Sequence, residues 1–144
     1  MKIVLINPPL SAEEQAGSLK DIANLIMPLG LAYIAAVLKK DGFDVEVIDC
    51  VPLRVTIKKL GEILLRRKPD LVAFTATIIS IQHAVETARY LKKILPENVK
   101  FVIGGPHFTS LPERTMNEGV FDFGVLGEGE YTFLELTKML YSRK

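Results

Sequence analysis

Short apolar runs of strand length alternate along this chain with longer segments in which apolar residues return every three or four positions. The pattern predicts strands over Lys2–Ile6, Asp44–Ile48, Asp70–Phe74, Val99–Ile103 and Phe121–Leu126. It predicts helices over Leu29–Lys40, Thr56–Arg67, Ile81–Leu95, Ser110–Asn117 and Tyr131–Tyr141. The first helix stops at Asp41-Gly42, a C-cap signal. The second carries Ile57, Leu60, Ile63 and Leu64 on one face, and the fourth opens on a capping box, Ser110 with Glu113. The Val-Glu-Val alternation of Asp44–Ile48 places that strand nearer a sheet edge. Strands alternating with helices imply a parallel sheet covered on both faces. Five of them favour an α/β, doubly wound, flavodoxin-like (Rossmann-like) sheet of order 2-1-3-4-5.

One connection breaks the rhythm. Asn7 to Pro28 spans about twenty residues where such loops usually run about two to six. It leaves the first strand beside the expected switch point, so it reads as a lid over a ligand or as a mobile surface insertion, with room for a helical turn inside Ser18–Ile26.

At 144 residues the chain fits one domain, 1–144. Hydrophobic residues make up 49% and charged residues 24%, with a formal charge of +1, a balance that calls for neither nucleic acid nor an anionic membrane. The basic run Leu65-Arg66-Arg67-Lys68 closes a helix, where positive charge complements the dipole. No apolar segment reaches the roughly 18 residues of a membrane span, and Met1-Lys2 leads straight into a strand, so the expected location is cytoplasmic. The single cysteine, Cys50, can form no internal disulfide and cannot hold an iron–sulfur cluster.

The candidate site lies where strands end in small residues: Phe74-Thr75-Ala76-Thr77, then Gly104-Gly105-Pro106-His107, then Gly127-Glu128-Gly129-Glu130. In open α/β sheets ligands bind at the carboxyl ends of strands. Three bare ends in a row suggest a slot for one long ligand. Common phosphate ligands of this architecture are disfavoured. A dinucleotide site needs Gly-x-Gly-x-x-Gly after the first strand, where this chain has Asn7-Pro8-Pro9. A flavodoxin's hydroxyl-rich loop is missing there too. Gly127-Glu128-Gly129-Glu130 carries two acids that would repel phosphate, and a receiver domain's phospho-accepting aspartate is replaced by Thr75.

These blocks carry a resemblance. Pro28-Leu29-Gly30-Leu31-Ala32-Tyr33-Ile34-Ala35-Ala36-Val37-Leu38 and Gly42-Phe43-Asp44-Val45-Glu46-Val47-Ile48-Asp49, with the three strand ends above in the same order and spacing, resemble the cobalamin-binding domain that precedes many radical SAM enzymes. The likeness covers essentially the whole chain. It implies cobalamin as cofactor, the corrin over the strand ends, and the nucleotide tail threaded between the sheet and a flanking helix. Carried over, Thr75 and Thr77 would hydrogen-bond the tail, with Ala76 between them. Gly104 and Gly105 would flank the benzimidazole, so Gly105→Val should abolish retention. Gly127 and Gly129 would border it, and Glu128 or Glu130 would take a ribose hydroxyl or an amide. This chain differs from the family pattern at Met27-Pro28, in place of a proline pair, and at Ile78-Ile79, in place of more polar residues.

Cobalamin mutases and methionine synthases carry Asp-x-His-x-x-Gly after the first strand, whose histidine ligates cobalt from below. This chain has no histidine between Met1 and Gln82. His83 reads as a helix residue. His107, after Pro106, reads as a backbone-bonded loop residue or a contact to cofactor or lid. The expectation is therefore cobalamin with its own base displaced and no protein ligand below the metal, suited to methyl transfer. Asn7 is a loop-fixing amide or a corrin contact, Asp49 a cap, Cys50 a packed thiol, and Tyr33 and Tyr131 core residues. A radical SAM domain's Cys-x-x-x-Cys-x-x-Cys run is absent. The chain is thus expected to have no turnover alone and to serve a radical SAM partner in cis or trans. The alternative is a cofactor-free docking or substrate-gating domain.

Overall fold

The computed structural model describes residues 1–10 and 27–142. The lid proposed for the Asn7–Pro28 connection falls mostly outside them. Five strands, β1 (Lys2–Asn7), β2 (Asp44–Asp49), β3 (Leu71–Thr75), β4 (Lys100–Gly104) and β5 (Phe123–Gly124), form one all-parallel sheet of order β2-β1-β3-β4-β5. This is the flavodoxin-like order expected from the alternation. The apolar run of β1 is buried from Ile3 to Ile6 because helices cover both of its faces.

Helices α1 (Leu29–Lys40) and α6 (Glu130–Ser142) cover one face. Leu31, Ala35 and Leu38 of α1 and Phe133 of α6 close over Ile3, Leu5, Ala73 and Val102. Helices α2 (Ile57–Arg67) and α3 (Ile81–Ile94) cover the other, burying Leu60, Leu64, Ala84, Ala88 and Leu91 against Val4, Ile6, Val72 and Phe101. Thr56 caps α2 by accepting from the Lys59 amide at 3.3 Å, and Asp41 and Gly42 end α1 as expected.

Three local expectations are overturned. The single fourth helix is two short ones, α4 (Pro106–Ser110) and α5 (Pro112–Met116). Each starts on a proline, whose missing N–H and fixed φ suit a first helical position. No capping box forms, because the Ser110 hydroxyl closes the preceding turn on the Pro106 carbonyl at 3.0 Å. The fifth strand is only two residues long. Its pairing continues through single bonds, Asp122 N–H to Phe101 O at 2.8 Å and Val125 N–H to Ile103 O at 2.9 Å. Tyr33 and Tyr131 are not core: they are 62% and 75% exposed, because α1 and α6 turn Leu31, Ile34, Leu38 and Phe133 inward instead.

Candidate functional site

A cavity of about 560 Å³ opens at the carboxyl edge of the sheet, between the strands and the first turns of α1 and α6. Leu5, Ala73 and Val102 form its floor, and Leu31 and Ile34 of α1 with Phe133 of α6 form its walls. The rim is polar: Thr75, Gly104, Gly105, Pro106, Thr109, Ser110 and the stretch Gly127–Glu130. Its size falls within the roughly 300–1,000 Å³ of small-molecule sites, and its layout of apolar depth and polar edge is theirs as well.

Glycine keeps the space open. A Cβ built on Gly30 meets nothing within 4 Å, and one on Gly104 meets only Val125, at 3.5 Å to its carbonyl oxygen. Gly104 lies opposite Thr75 and shares a sheet face with Val102, so a side chain there would enter the cavity. Gly105 has a different task. Its φ of +94° suits glycine, and its Cβ would lie 2.7 Å from Thr75 Oγ1 and 2.9 Å from both Ala76 N and Ala76 O. That direction leads into the protein's own backbone, so Gly105→Val tests folding rather than retention. Gly129 lets α6 start close to α1, since a Cβ would sit 3.2 Å from Ile34 Cδ1.

The strand-end loops are tied to each other. Thr109 Oγ1 donates to the Gly105 carbonyl at 3.1 Å and accepts from the Gly127 amide at 3.0 Å, joining the loop after β4 to the loop after β5. The ring of Phe108 lies where Gly124 has no side chain; a Cβ there would run into Phe108 Cζ. Thr109→Val keeps the shape and removes both bonds. We expect it to weaken ligand binding by up to about 30-fold, since two lost hydrogen bonds at about 1 kcal/mol each loosen the rim, with Thr109→Ser restoring most of it, read by equilibrium titration.

Of the twelve residues expected at the site, the cavity brings together Thr75, Gly104, Gly105, Pro106, Gly127, Glu128, Gly129 and Glu130. Four lie outside its lining. Asn7 donates from Nδ2 to Asp49 Oδ1 at 2.9 Å, fixing the ends of β1 and β2 together. Ala76 is buried and bonded through its backbone, N–H to Gly104 O and C=O from His107 N–H. Thr77 is exposed, with its amide and hydroxyl engaged by Ser80 Oγ at 2.9 and 3.2 Å. His107 is buried in α4. Gly30, Ile34, Thr109 and Phe133 were missed. A glycine in the first turn of an otherwise helix-favouring segment was the available signal for the first of them.

No basic side chain lines the cavity among the described residues, while Glu128 and Glu130 do, which disfavours a polyphosphate. No group of three or more His, Cys, Asp or Glu side chains there could hold a metal ion, again among the described residues. Nor is any helix among them long and apolar enough to cross a membrane. Cys50 takes no part in the cavity. Burial, and secondarily the neighbouring Asp49 carboxylate, push its thiol up from 9.0 to about 12. We expect no alkylation by iodoacetamide at pH 8 in the native state and ready alkylation in urea. Because the folded value lies above the unfolded one, Cys50's contribution to stability is complete below about pH 9 and is lost as pH rises through about 12.

Comparison with known proteins gives this geometry a context. The pattern of the family described as B12 binding domain matches residues 18–137. An uncharacterized methyltransferase of Pyrococcus horikoshii is 38% identical over 141 residues, which are 97% of this chain and 29% of that protein. The anaerobic magnesium-protoporphyrin IX monomethyl ester cyclase of Cereibacter sphaeroides is 34% identical over 140 residues, 96% of this chain and 22% of that one. The chain therefore spans under a third of the length of these relatives. Among solved structures, the radical S-adenosylmethionine methyltransferase TsrM from Kitasatospora setae, with cobalamin and an iron–sulfur cluster bound, superposes with a TM-score of 0.77. It does so at 22% identity over 100% of this chain and 25% of its own, which shows the same fold. The residues present fit the group that the family binds: a cleft that glycines leave open at the strand ends, apolar within and hydroxyl-bearing at its edge. The chain belongs to the B12 binding domain family, and its cofactor is cobalamin.

Proposed function

We propose that this domain holds cobalamin with the nucleotide tail in the cavity between the sheet and α1, the tail's base displaced from cobalt and no protein histidine in its place. The observation that carries the reading is the cavity itself, apolar at its floor and kept open by Gly30 and Gly104. Bound cobalamin would supply a cobalt centre able to carry a methyl group. The protein's part is to bind and orient. Leu5, Ala73 and Val102 give an apolar surface for an aromatic base, the Thr75 hydroxyl on the rim would bond the tail, and Glu128 or Glu130 would accept from a ribose hydroxyl or a corrin amide. Asn7 and Thr77, outside the cavity lining, stand at the strand ends where a corrin would lie.

Neither histidine lines the cavity, and the loop directly after β1 reads Pro8-Pro9, which favours a metal without a protein ligand below it. The likeness to longer methyltransferases supports a module that serves a radical SAM domain, in cis or in trans, in methyl transfer or a related oxidoreduction. Electron paramagnetic resonance of the cob(II)alamin-loaded chain tests the coordination. We expect no nitrogen superhyperfine splitting. A nitrogen-split signal would mean that the tail base or a histidine sits on cobalt, and the proposal would fall. A cofactor-free docking or gating role is the reading left if the chain takes up no corrinoid.

A further inference from the structure

We propose that the cavity selects among corrinoids by the polarity of the tail's base, accepting benzimidazoles and phenols and discriminating against purines. The inference rests on the reading that the tail occupies this cavity. Its depth is lined by Leu5, Leu31, Ile34, Ala73, Val102 and Phe133, whose side chains offer neither donor nor acceptor. The backbone beneath is engaged as well, because β3 pairs with β1 and β4, and β4 pairs with β3 and β5.

Polar groups are confined to the rim, and several are committed. The Thr109 hydroxyl gives its proton to Gly105 O and accepts from Gly127 N–H, and Ser110 gives its proton to Pro106 O. Among the described residues, that leaves the Thr75 hydroxyl as the rim hydroxyl whose proton is uncommitted. It stands at the strand end, not in the floor.

A benzimidazole or a cresol brings an aromatic plane with almost nothing to satisfy. An adenine brings an exocyclic amine with two donors and additional ring nitrogens. Buried against this floor, those groups would leave water and find no partner, and each unpaired group lowers affinity about tenfold or more.

The test is a set of absorption titrations of the chain with four corrinoids in their dicyano forms, in which the base is off cobalt in every case. They are cobalamin, p-cresolyl cobamide, adeninyl cobamide and cobinamide, which lacks the tail. We expect cobalamin and the cresolyl compound to bind within about threefold of each other, adeninyl cobamide about tenfold or more weaker, and cobinamide weaker than cobalamin. Adeninyl cobamide binding as well as cobalamin, with both tighter than cobinamide, would overturn the selection and leave the tail reading intact. Cobinamide binding as well as cobalamin would overturn the tail reading and the selection with it. A second variant keeps the floor itself under test. Val102→Thr keeps the shape and adds a hydroxyl, and it should narrow the cobalamin-to-adeninyl ratio by about threefold or more. An unchanged ratio would show that the floor's polarity does not set the preference.

Discussion

Gly104→Val will give a folded chain that holds cobalamin far more weakly. Gly104 stands at the carboxyl end of β4, where a β-branched residue suits the strand. The new Cβ meets only Val125, at ordinary contact distance, so the strand itself has room for a side chain here. Its methyl groups project into the cavity on the Val102 face, where the tail's base is proposed to lie. Overpacking of this kind costs about 1–3 kcal/mol when a ligand must move aside, which weakens binding about 5- to 150-fold. Titration with hydroxocobalamin measures the loss, and a thermal melt close to that of the parent chain shows that the fold survives. Gly104→Ala should fall between the two.

Gly105→Ala has the opposite signature, a large loss of stability whether or not cobalamin is present. The φ of +94° and ψ of 179° belong to a region open essentially to glycine, and forcing another residue there costs about 1–3 kcal/mol. The added Cβ also presses on Ala76 N and Ala76 O at 2.9 Å, backbone atoms held by bonds to Gly104 O and His107 N–H. With the clash included, about 3–5 kcal/mol is expected, a large share of the total of about 5–15 kcal/mol for a typical domain. Urea denaturation reads it directly. A midpoint unchanged from the parent would mean that the loop after β4 relaxes freely.

This contrast also marks what the sequence could reveal. Adjacent glycines read as one bare slot, because sequence carries no φ and no direction for an absent Cβ. The structure separates them into one that keeps the cavity open and one that shapes the turn beside it. The sheet order was legible since each strand is followed by a helix and the strands covered on both faces read as unbroken apolar runs, Ile3–Ile6 above all. The α4–α5 break was legible only in part. Ser110 and Glu113 have capping-box spacing, yet Pro106 and Pro112 each start a helical turn of their own. The cavity's strand side was visible as small residues at strand ends. Its helix side, Leu31, Ile34 and Phe133, looked like ordinary core, for periodicity says which stripe is buried but not that the helices stand off the sheet at one end. Tyr33 and Tyr131 failed for a related reason, as apolar neighbours on α1 and α6 do not fix which side of the helix an aromatic ring takes.

The most direct measurement is passage of the chain through a desalting column after mixing with hydroxocobalamin, followed by its visible spectrum at neutral pH. A stoichiometric corrinoid carried with the protein and showing the base-off spectrum is the result predicted for a tail held in the cavity. A folded chain that emerges colourless, or carries cobalamin with its base still on cobalt, contradicts that placement.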